Sequence, residues 1–325
     1  MNENGIDIVL AIDIGGTFTK IGLVDRQGNI LYNKVFKTKA KNPFAEYKVL
    51  LKKQIKTLLS STHTNHNILC IGIGAPNANY NTGIMENPPN FRWGESVPIK
   101  EVIMEIIDRP VYITNDANAS ALGELYFGMA KQMKNFVVLT LGTGLGSGII
   151  NEGKLVVGAN GMAGELGHVN VYPKGRQCNC GLKGCLETYV SVTGIKRTVF
   201  KLLADSNEDS MLRNWSFDSL TGKEISKAAL NGDKIALEAF HLTAQILGSK
   251  MADTVAHLEP EAFILTGGLS HAGELFLKPL IENMEASLFN AYKGKVKVLI
   301  SKTPSSSAIL GPAALAWQGL EIRGN

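Results

Sequence analysis

A chain of 325 residues, 45% apolar and 19% charged, has a globular composition and is long enough for two cores. Its net charge is +4, and the basic residues are scattered apart from short groups such as Lys37, Lys39 and Lys41, which argues against nucleic-acid binding. No basic-then-apolar leader opens the chain and no apolar run nears the ~20 residues that span a bilayer, so no membrane association and a cytoplasmic location are expected.

The first elements read as a β-meander. Ile6 to Ile14 is a buried strand, Gly15-Gly16 turns the chain, and Thr19 to Val24 returns it. Gln27-Gly28-Asn29 turns again into Ile30 to Phe36. A helix is predicted from about Pro43 to Ser60, with Tyr47, Leu50, Leu51, Ile55, Leu58 and Leu59 as its apolar stripe. Ile68 to Ile73 is a fourth strand containing Cys70, read as a small core residue. A loop rich in Asn, Pro and Gly runs from Ala75 to about Glu95. Pro110 to Thr114 is a short strand, and Ala117 to Phe127 the helix after it.

The pattern then restarts. Phe136 to Leu141 is a strand, Gly142 to Gly148 a glycine-rich turn, Ile149-Ile150 a returning strand, and Lys154 to Val157 the next strand after a turn. A repeated strand–glycine turn–strand unit suggests two similar halves that would bring both turns to one central cleft. A loop-rich insert (158–184) and helices between about Val192 and His257 follow. Ala262 to Thr266 is a buried strand ending in Gly267-Gly268, and Ser307 to Leu320 is helical by pattern.

Several of these junctions carry chemistry. Asp13, Gly15, Gly16 and Thr17 end the first strand, where exposed backbone N–H groups and the Thr17 hydroxyl suit phosphate oxygens. Lys20 adds a cation, and Asp13 suits Mg²⁺, which prefers one or two carboxylates plus phosphates. A tight hairpin with a buried Asp explains the same residues equally well. Gly142, Thr143, Gly144 and Gly146 form a stronger phosphate-loop candidate, because alternate glycines cost conformational entropy that a plain hairpin need not spend. Neither a dinucleotide fingerprint nor a Walker loop fits the spacing. Gly267 and Gly268 suit contact with a flat group such as adenosine, or a simple helix entry. Asn115 and Asp116 stand between a strand and a helix: Asp116 could accept a proton from an attacking hydroxyl and Asn115 bind neighbouring hydroxyls, but a helix cap would also use these residues. Finally, His168, Cys178, Cys180 and Cys185 form a tetrahedral zinc set of the closed, structural kind, which would aim Glu165 and Glu187 at a substrate.

Together these motifs resemble the ROK family (repressors, open reading frames and sugar kinases) within the actin-like, ribonuclease-H-like ATPase superfamily. Asp13 to Lys20 resembles D-x-G-G-T-x-x-K, and Glu165-Leu166-Gly167-His168 with Cys178-x-Cys180-Gly-x-x-Gly-Cys185-x-Glu187 resembles the family's zinc signature. The resemblance implies an α/β, duplicated ribonuclease-H-like fold with two lobes around a central cleft. The expected lobes are a smaller one over 1–117 plus about 307–325 and a larger one over 118–306 that carries the zinc insert. It also implies an ATP-dependent sugar kinase with Mg²⁺ and structural Zn²⁺, in which Asp116 is the base for a hexose hydroxyl, commonly the 6-hydroxyl. Asn115, Glu165, His168 and Glu187 would contact the sugar, with Asn77 and Asn90 on sugar-lining loops. Glucose is the first substrate choice, then N-acetylmannosamine and N-acetylglucosamine. A non-enzymatic sugar-sensing regulator is the rival reading. Pro76-Asn77 replaces the family's usual Pro-Gly, and Pro312 enters a common Gly-Ala-Ala. Because the first strand begins early, no DNA-binding domain is expected before it, and a homodimer or homotetramer is expected.

Overall fold

The computed structural model describes residues 5–61, 66–304 and 307–324. In chain order the strands and helices are β1 (Ile6–Ile14), β2 (Phe18–Asp25), β3 (Ile30–Lys37), α1 (Phe44–Ser60), β4 (His66–Gly74), β5 (Met85–Glu86), β6 (Ser96–Val97), α2 (Ile99–Met104), β7 (Val111–Thr114), α3 (Asp116–Tyr126), β8 (Phe136–Leu141), β9 (Leu145–Asn151) and β10 (Lys154–Leu155). Then come α4 (Val192–Asp205), α5 (Gly222–Leu230), α6 (Lys234–Leu258), β11 (Ala262–Thr266), α7 (Glu274–Ser287), β12 (Lys297–Ile300) and α8 (Leu310–Gly324).

Two compact units emerge. The first comprises Met1–Met133, Gly153–Gly164 and Lys302–Asn325, and the second Lys134–Glu152 and Glu165–Ser301. The first therefore extends past residue 117, because α3 packs on α8. Its sheet has the order β3-β2-β1-β4-β7. β1 pairs antiparallel with β2 and parallel with β4, and β4 pairs parallel with β7. Central strands that are covered on both faces read as continuous apolar runs, and β1 does so. Ile8, Leu10, Ile12 and Ile14 enter the core that holds Tyr47, Leu51 and Ile55 of α1. Val9 and Ala11 point the other way, toward Ala313, Ala316 and Trp317 of α8. The Trp317 indole N–H donates to the Asp25 carbonyl (3.1 Å), so Trp317→Ala would lose both packing and a bond, about 3–5 kcal/mol.

In the second unit the strands follow the order β9-β8-β11-β12. β8 pairs antiparallel with β9 and parallel with β11, and β11 pairs parallel with β12. This repeats β2-β1-β4-β7, so the duplication read from the glycine turns is a duplication of topology. Helix starts are locally encoded: Ser191 and Asp233 accept the backbone N–H groups of Gly194 and Ala236. The long α6 ends at Glu259, which takes a left-handed conformation.

Candidate functional site

Register places the chemistry. Asp13 at the end of β1 lies opposite Gly74 of β4, and Gly74 lies opposite Thr114 of β7. Asp13 and the Asn115-Asp116 pair therefore share the carboxyl edge of the first sheet, where parallel α/β sheets bind ligands. In the second unit Thr140 pairs with Thr266, so Gly142–Gly146 and Gly267-Gly268 leave the carboxyl edge of that sheet together.

At the start of α3 the cap belongs to Asn115, whose Oδ1 accepts the Asn118 N–H at 2.6 Å. Asp116 is not needed for that task. Its Oδ1 accepts the neighbouring Ala117 N–H (2.9 Å), and the residue reaches solvent. Even so, the protein packed around it raises its carboxyl above the ordinary range, against the pull of the Ala117 N–H. Asp13 is pushed up to about 6, first by burial, with Lys20 lowering it and the charge of Asp116 raising it further. The Lys20 ammonium lies 3.9 Å from the Asp13 carboxylate. Two carboxylates that feel each other at one sheet edge form a natural seat for a cation and a base.

The first glycine turn is compact. Gly15 N–H donates to the Phe18 carbonyl (3.0 Å), while Gly16 and Thr17 are exposed. A Cβ on Gly16 would meet nothing closer than Phe91 at 4.0 Å, so packing does not demand a glycine there. Gly142 behaves likewise: a Cβ would meet nothing within 4 Å among the described residues. Gly144 differs, because its Cβ would strike the Glu187 carboxylate, and Gly267 has φ +93° and backs onto Leu141. At Gly16 and Gly142 packing among the described residues thus leaves room for a side chain, while at Gly144 and Gly267 the fold itself calls for glycine.

The second turn is held by long-range contacts. Glu187 Oε2 accepts the Leu145 N–H at 2.9 Å, and Val192 N–H donates to the Gly142 carbonyl at 2.8 Å. The other oxygen of Glu187 lies 3.8 Å from Cys178 Sγ. Glu187 thus links the turn to the cysteine cluster, a role the sequence did not signal.

His168, Cys178, Cys180 and Cys185 bring one ligand atom each to within 4.8 Å of one another. His168 Nδ1 is 3.8 Å from Cys178 Sγ, and the sulfurs of Cys180 and Cys185 are 3.6 Å apart. A tetrahedral zinc needs edges of about 3.8 Å between sulfurs and about 3.5 Å between sulfur and nitrogen, so this donor set fits the ion. Arg176 secures the surrounding loop, donating to the carbonyls of Thr188 and Gly194 and to Thr198 Oγ1, with its guanidinium 4.4 Å over the Tyr189 ring. Glu165 immediately precedes the short turn Leu166–His168.

Asn77 and Asn90 both have positive φ, at 50° and 68°. Asn77 donates to the Asn87 carbonyl at 3.2 Å, which ties its side chain to the fold, whereas Asn90 is exposed. The structure places these two in the first unit with Asp13, Gly15, Gly16, Thr17, Lys20, Asn115 and Asp116. Glu165, His168, Glu187, the three clustered cysteines and the candidate residues Gly142, Thr143, Gly144, Gly146, Gly267 and Gly268 belong to the second.

Two sheets that repeat one strand order, each with a glycine turn after its central strand, define the duplicated ribonuclease-H-like fold of actin-like ATPases. The chain belongs to the ROK family, whose model matches residues 9–319. It is 33% identical to a glucokinase of Halalkalibacterium halodurans over 95% of this chain and 94% of that one. It is 32% identical to a xylose repressor of Caldicellulosiruptor bescii, over 94% of this chain and 77% of that one. The crystal structure of a ROK family glucokinase from Streptomyces griseus with glucose and AMPPNP superposes with a TM-score of 0.79 at 33% identity, covering 96% of this chain and 100% of that one. Among the described residues no helix is long and apolar enough to cross a membrane.

Proposed function

We propose that the protein is an ATP-dependent sugar kinase that transfers the γ-phosphoryl group to a hexose hydroxyl, the 6-hydroxyl, with glucose as the first candidate. The observation that carries this reading is the separation of roles before α3: Asn115 caps the helix, and Asp116 presents a solvent-reaching carboxylate of raised pKa beside Asp13. The sugar hydroxyl would attack the γ-phosphorus, Asp116 would take its proton, and the bond to the β-phosphate oxygen would break with ADP leaving. A base of raised pKa holds that proton better than an ordinary carboxylate would.

Positioning and charge neutralisation supply the rest of such a transfer. Gly15, Gly16, Gly142, Gly144 and Gly146 would let the two turns approach phosphate oxygens closely, with the N–H groups of Gly16 and Gly144 directed at them and the hydroxyls of Thr17 and Thr143 and the Lys20 ammonium beside them. Asp13 would hold Mg²⁺, which when bound neutralises phosphate charge. Gly267 and Gly268 would flank the adenosine. Glu165, His168, Glu187 and the Asn115 amide nitrogen would bind sugar hydroxyls, with Asn77 and Asn90 lining the site. His168, Cys178, Cys180 and Cys185 would hold a zinc with no open ligand position, so its part is to fix the loop. The reading extends to a cytoplasmic homodimer or homotetramer that binds no nucleic acid.

The similarity to glucokinases and the glucose–AMPPNP complex of the Streptomyces griseus neighbour support this function. The similarity to a xylose repressor supports the alternative of a sugar sensor without turnover. ADP release measured with glucose, N-acetylmannosamine, N-acetylglucosamine, fructose and allose decides between them. Sugar-dependent release is expected; sugar binding without release would establish the sensor, and sugar-independent hydrolysis an ATPase.

A further inference from the structure

The first glycine turn is backed by a chain of buried hydroxyls. Thr38 Oγ1 donates to the Gly15 carbonyl at 2.6 Å. Thr19 Oγ1 lies 2.9 Å from Thr38 Oγ1 and 3.1 Å from the Tyr47 hydroxyl. Proton counting sets the direction: Thr38 spends its only proton on a carbonyl, so it accepts from Thr19, which in turn accepts from Tyr47. Thr19 and Thr38 are fully buried and Tyr47 nearly so, so an unmade bond there has no solvent to replace it.

The far end of this chain meets the loop that carries Asn90. The Tyr47 ring packs 4.3 Å, centroid to centroid, from Trp93, which also contacts Phe44 and Phe91. The Trp93 indole N–H has no acceptor among the described residues, so packing in the core holds the ring. Backbone bonds run in parallel: Arg92 N–H donates to the Ala40 carbonyl (2.8 Å) and Thr38 N–H to the Thr17 carbonyl (2.9 Å). Phe91 is also the nearest side chain to Gly16. The loop at 88–93 and the turn at 15–17 are therefore joined twice through residues 38–47, by hydroxyls and rings and by backbone.

We propose that Tyr47, Thr19 and Thr38 are positioning residues that couple a sugar seated at the 88–93 loop to nucleotide held by the Gly15-Gly16 turn. Well-packed rings move as discrete units, so a sugar ordering Asn90 and Phe91 would set Trp93 and Tyr47, and through them the Gly15 carbonyl and the N–H groups beside it. This rests on the sugar-kinase reading above. Coupling is reciprocal, so nucleotide would tighten sugar binding by the same factor.

The test measures the dissociation constant of AMPPNP by calorimetry with and without the sugar that gives ADP release, in wild type, Tyr47→Phe, Thr38→Val and Thr38→Ser. Wild type is expected to bind AMPPNP about 10-fold more tightly with sugar present. Tyr47→Phe and Thr38→Val should cut that factor to about 2-fold, leave sugar affinity without nucleotide unchanged, and raise KM for ATP more than they lower kcat. Thr38→Ser, which keeps the hydroxyl, should retain the coupling. Wild-type coupling in both Tyr47→Phe and Thr38→Val, in an enzyme that does release ADP with sugar, overturns the proposal. So does an active wild type with no coupling. If wild type gives no sugar-dependent ADP release, the kinase reading falls first and the coupling with it. Should Thr38→Val fail to fold, Tyr47→Phe, which preserves the ring, decides alone.

Discussion

The two glycine turns arise from the same topological position in their sheets, yet different chemistry holds them. Neutral hydroxyls and backbone groups support the first: Thr38 to the Gly15 carbonyl, with Thr19 and Tyr47 behind it. A carboxylate supports the second: Glu187 accepts the Leu145 N–H and sits against Cys178 of the metal-type cluster. Duplication therefore preserved where the backbone turns and left each half to find its own means of holding it. The first support has no group that titrates near neutrality, whereas the second is tied through Glu187 to the cysteine cluster.

Separating chemistry from support gives the largest expected effect. Asp116→Asn should lower kcat by about 10²–10⁴-fold while sugar and AMPPNP dissociation constants stay within a few-fold, because neither turn depends on that carboxylate. Near-normal turnover in a coupled ADP assay would remove Asp116 from its role. Next, Cys180→Ser should lose zinc by elemental analysis and weaken sugar affinity by about 10–100-fold. It should also loosen the second turn through Glu187, seen as faster amide exchange at Leu145, with exchange at Gly15 unchanged. Retained metal would refute the cluster assignment, and equal loosening of both turns would erase the contrast between them.

Glycine substitutions sharpen the same comparison. Gly144→Ala should displace Glu187 and lower Tm, because its Cβ collides with the carboxylate. Gly142→Ala has open space and should leave Tm within a degree or two of wild type, about 0.5 kcal/mol or less, while raising KM for ATP. A Gly142→Ala variant with unaltered ATP kinetics would deny that turn its phosphate.

The last effect is electrostatic and confined to the first unit. Asp13 titrates near 6 in the folded protein and at the ordinary 3.8 when unfolded. A raised carboxyl favours folding fully below about pH 4, and that contribution is lost as pH rises through about 6. Without Mg²⁺ and nucleotide, Asp13→Asn should therefore be more stable than wild type by about 1–3 kcal/mol above pH 6, and no more stable at pH 4. Thermal melts at the two pH values check the sign.

Much of the candidate site was legible because it is local. A strand ending in Asp13-Ile14-Gly15-Gly16 and four metal-type ligands within eighteen residues are short-range patterns, and short-range patterns survive in a linear reading. The Asn115-Asp116 pair was legible as a strand–helix junction but not as a division of roles, since the cap depends on where Asn118 N–H points once α3 forms. The reach of the first unit past residue 117 was hidden for a related reason: α3 joins it by packing on α8, nearly two hundred residues away.

Sequence by itself determined the repeated strand–turn–strand order, the residues at the mouths of those strands and the ligand set of the cluster, because backbone conformation and donor chemistry follow from neighbouring residue types. Only the tertiary structure decided what holds each glycine turn. Thr19 meets Thr38 and Tyr47, and Glu187 meets Leu145, across 19, 28 and 42 residues of chain. Nothing in the periodicity of a threonine, a tyrosine or a glutamate announces such a partner. Those contacts exist because sheet register and helix packing bring buried polar groups together, and burial leaves them no other way to be satisfied.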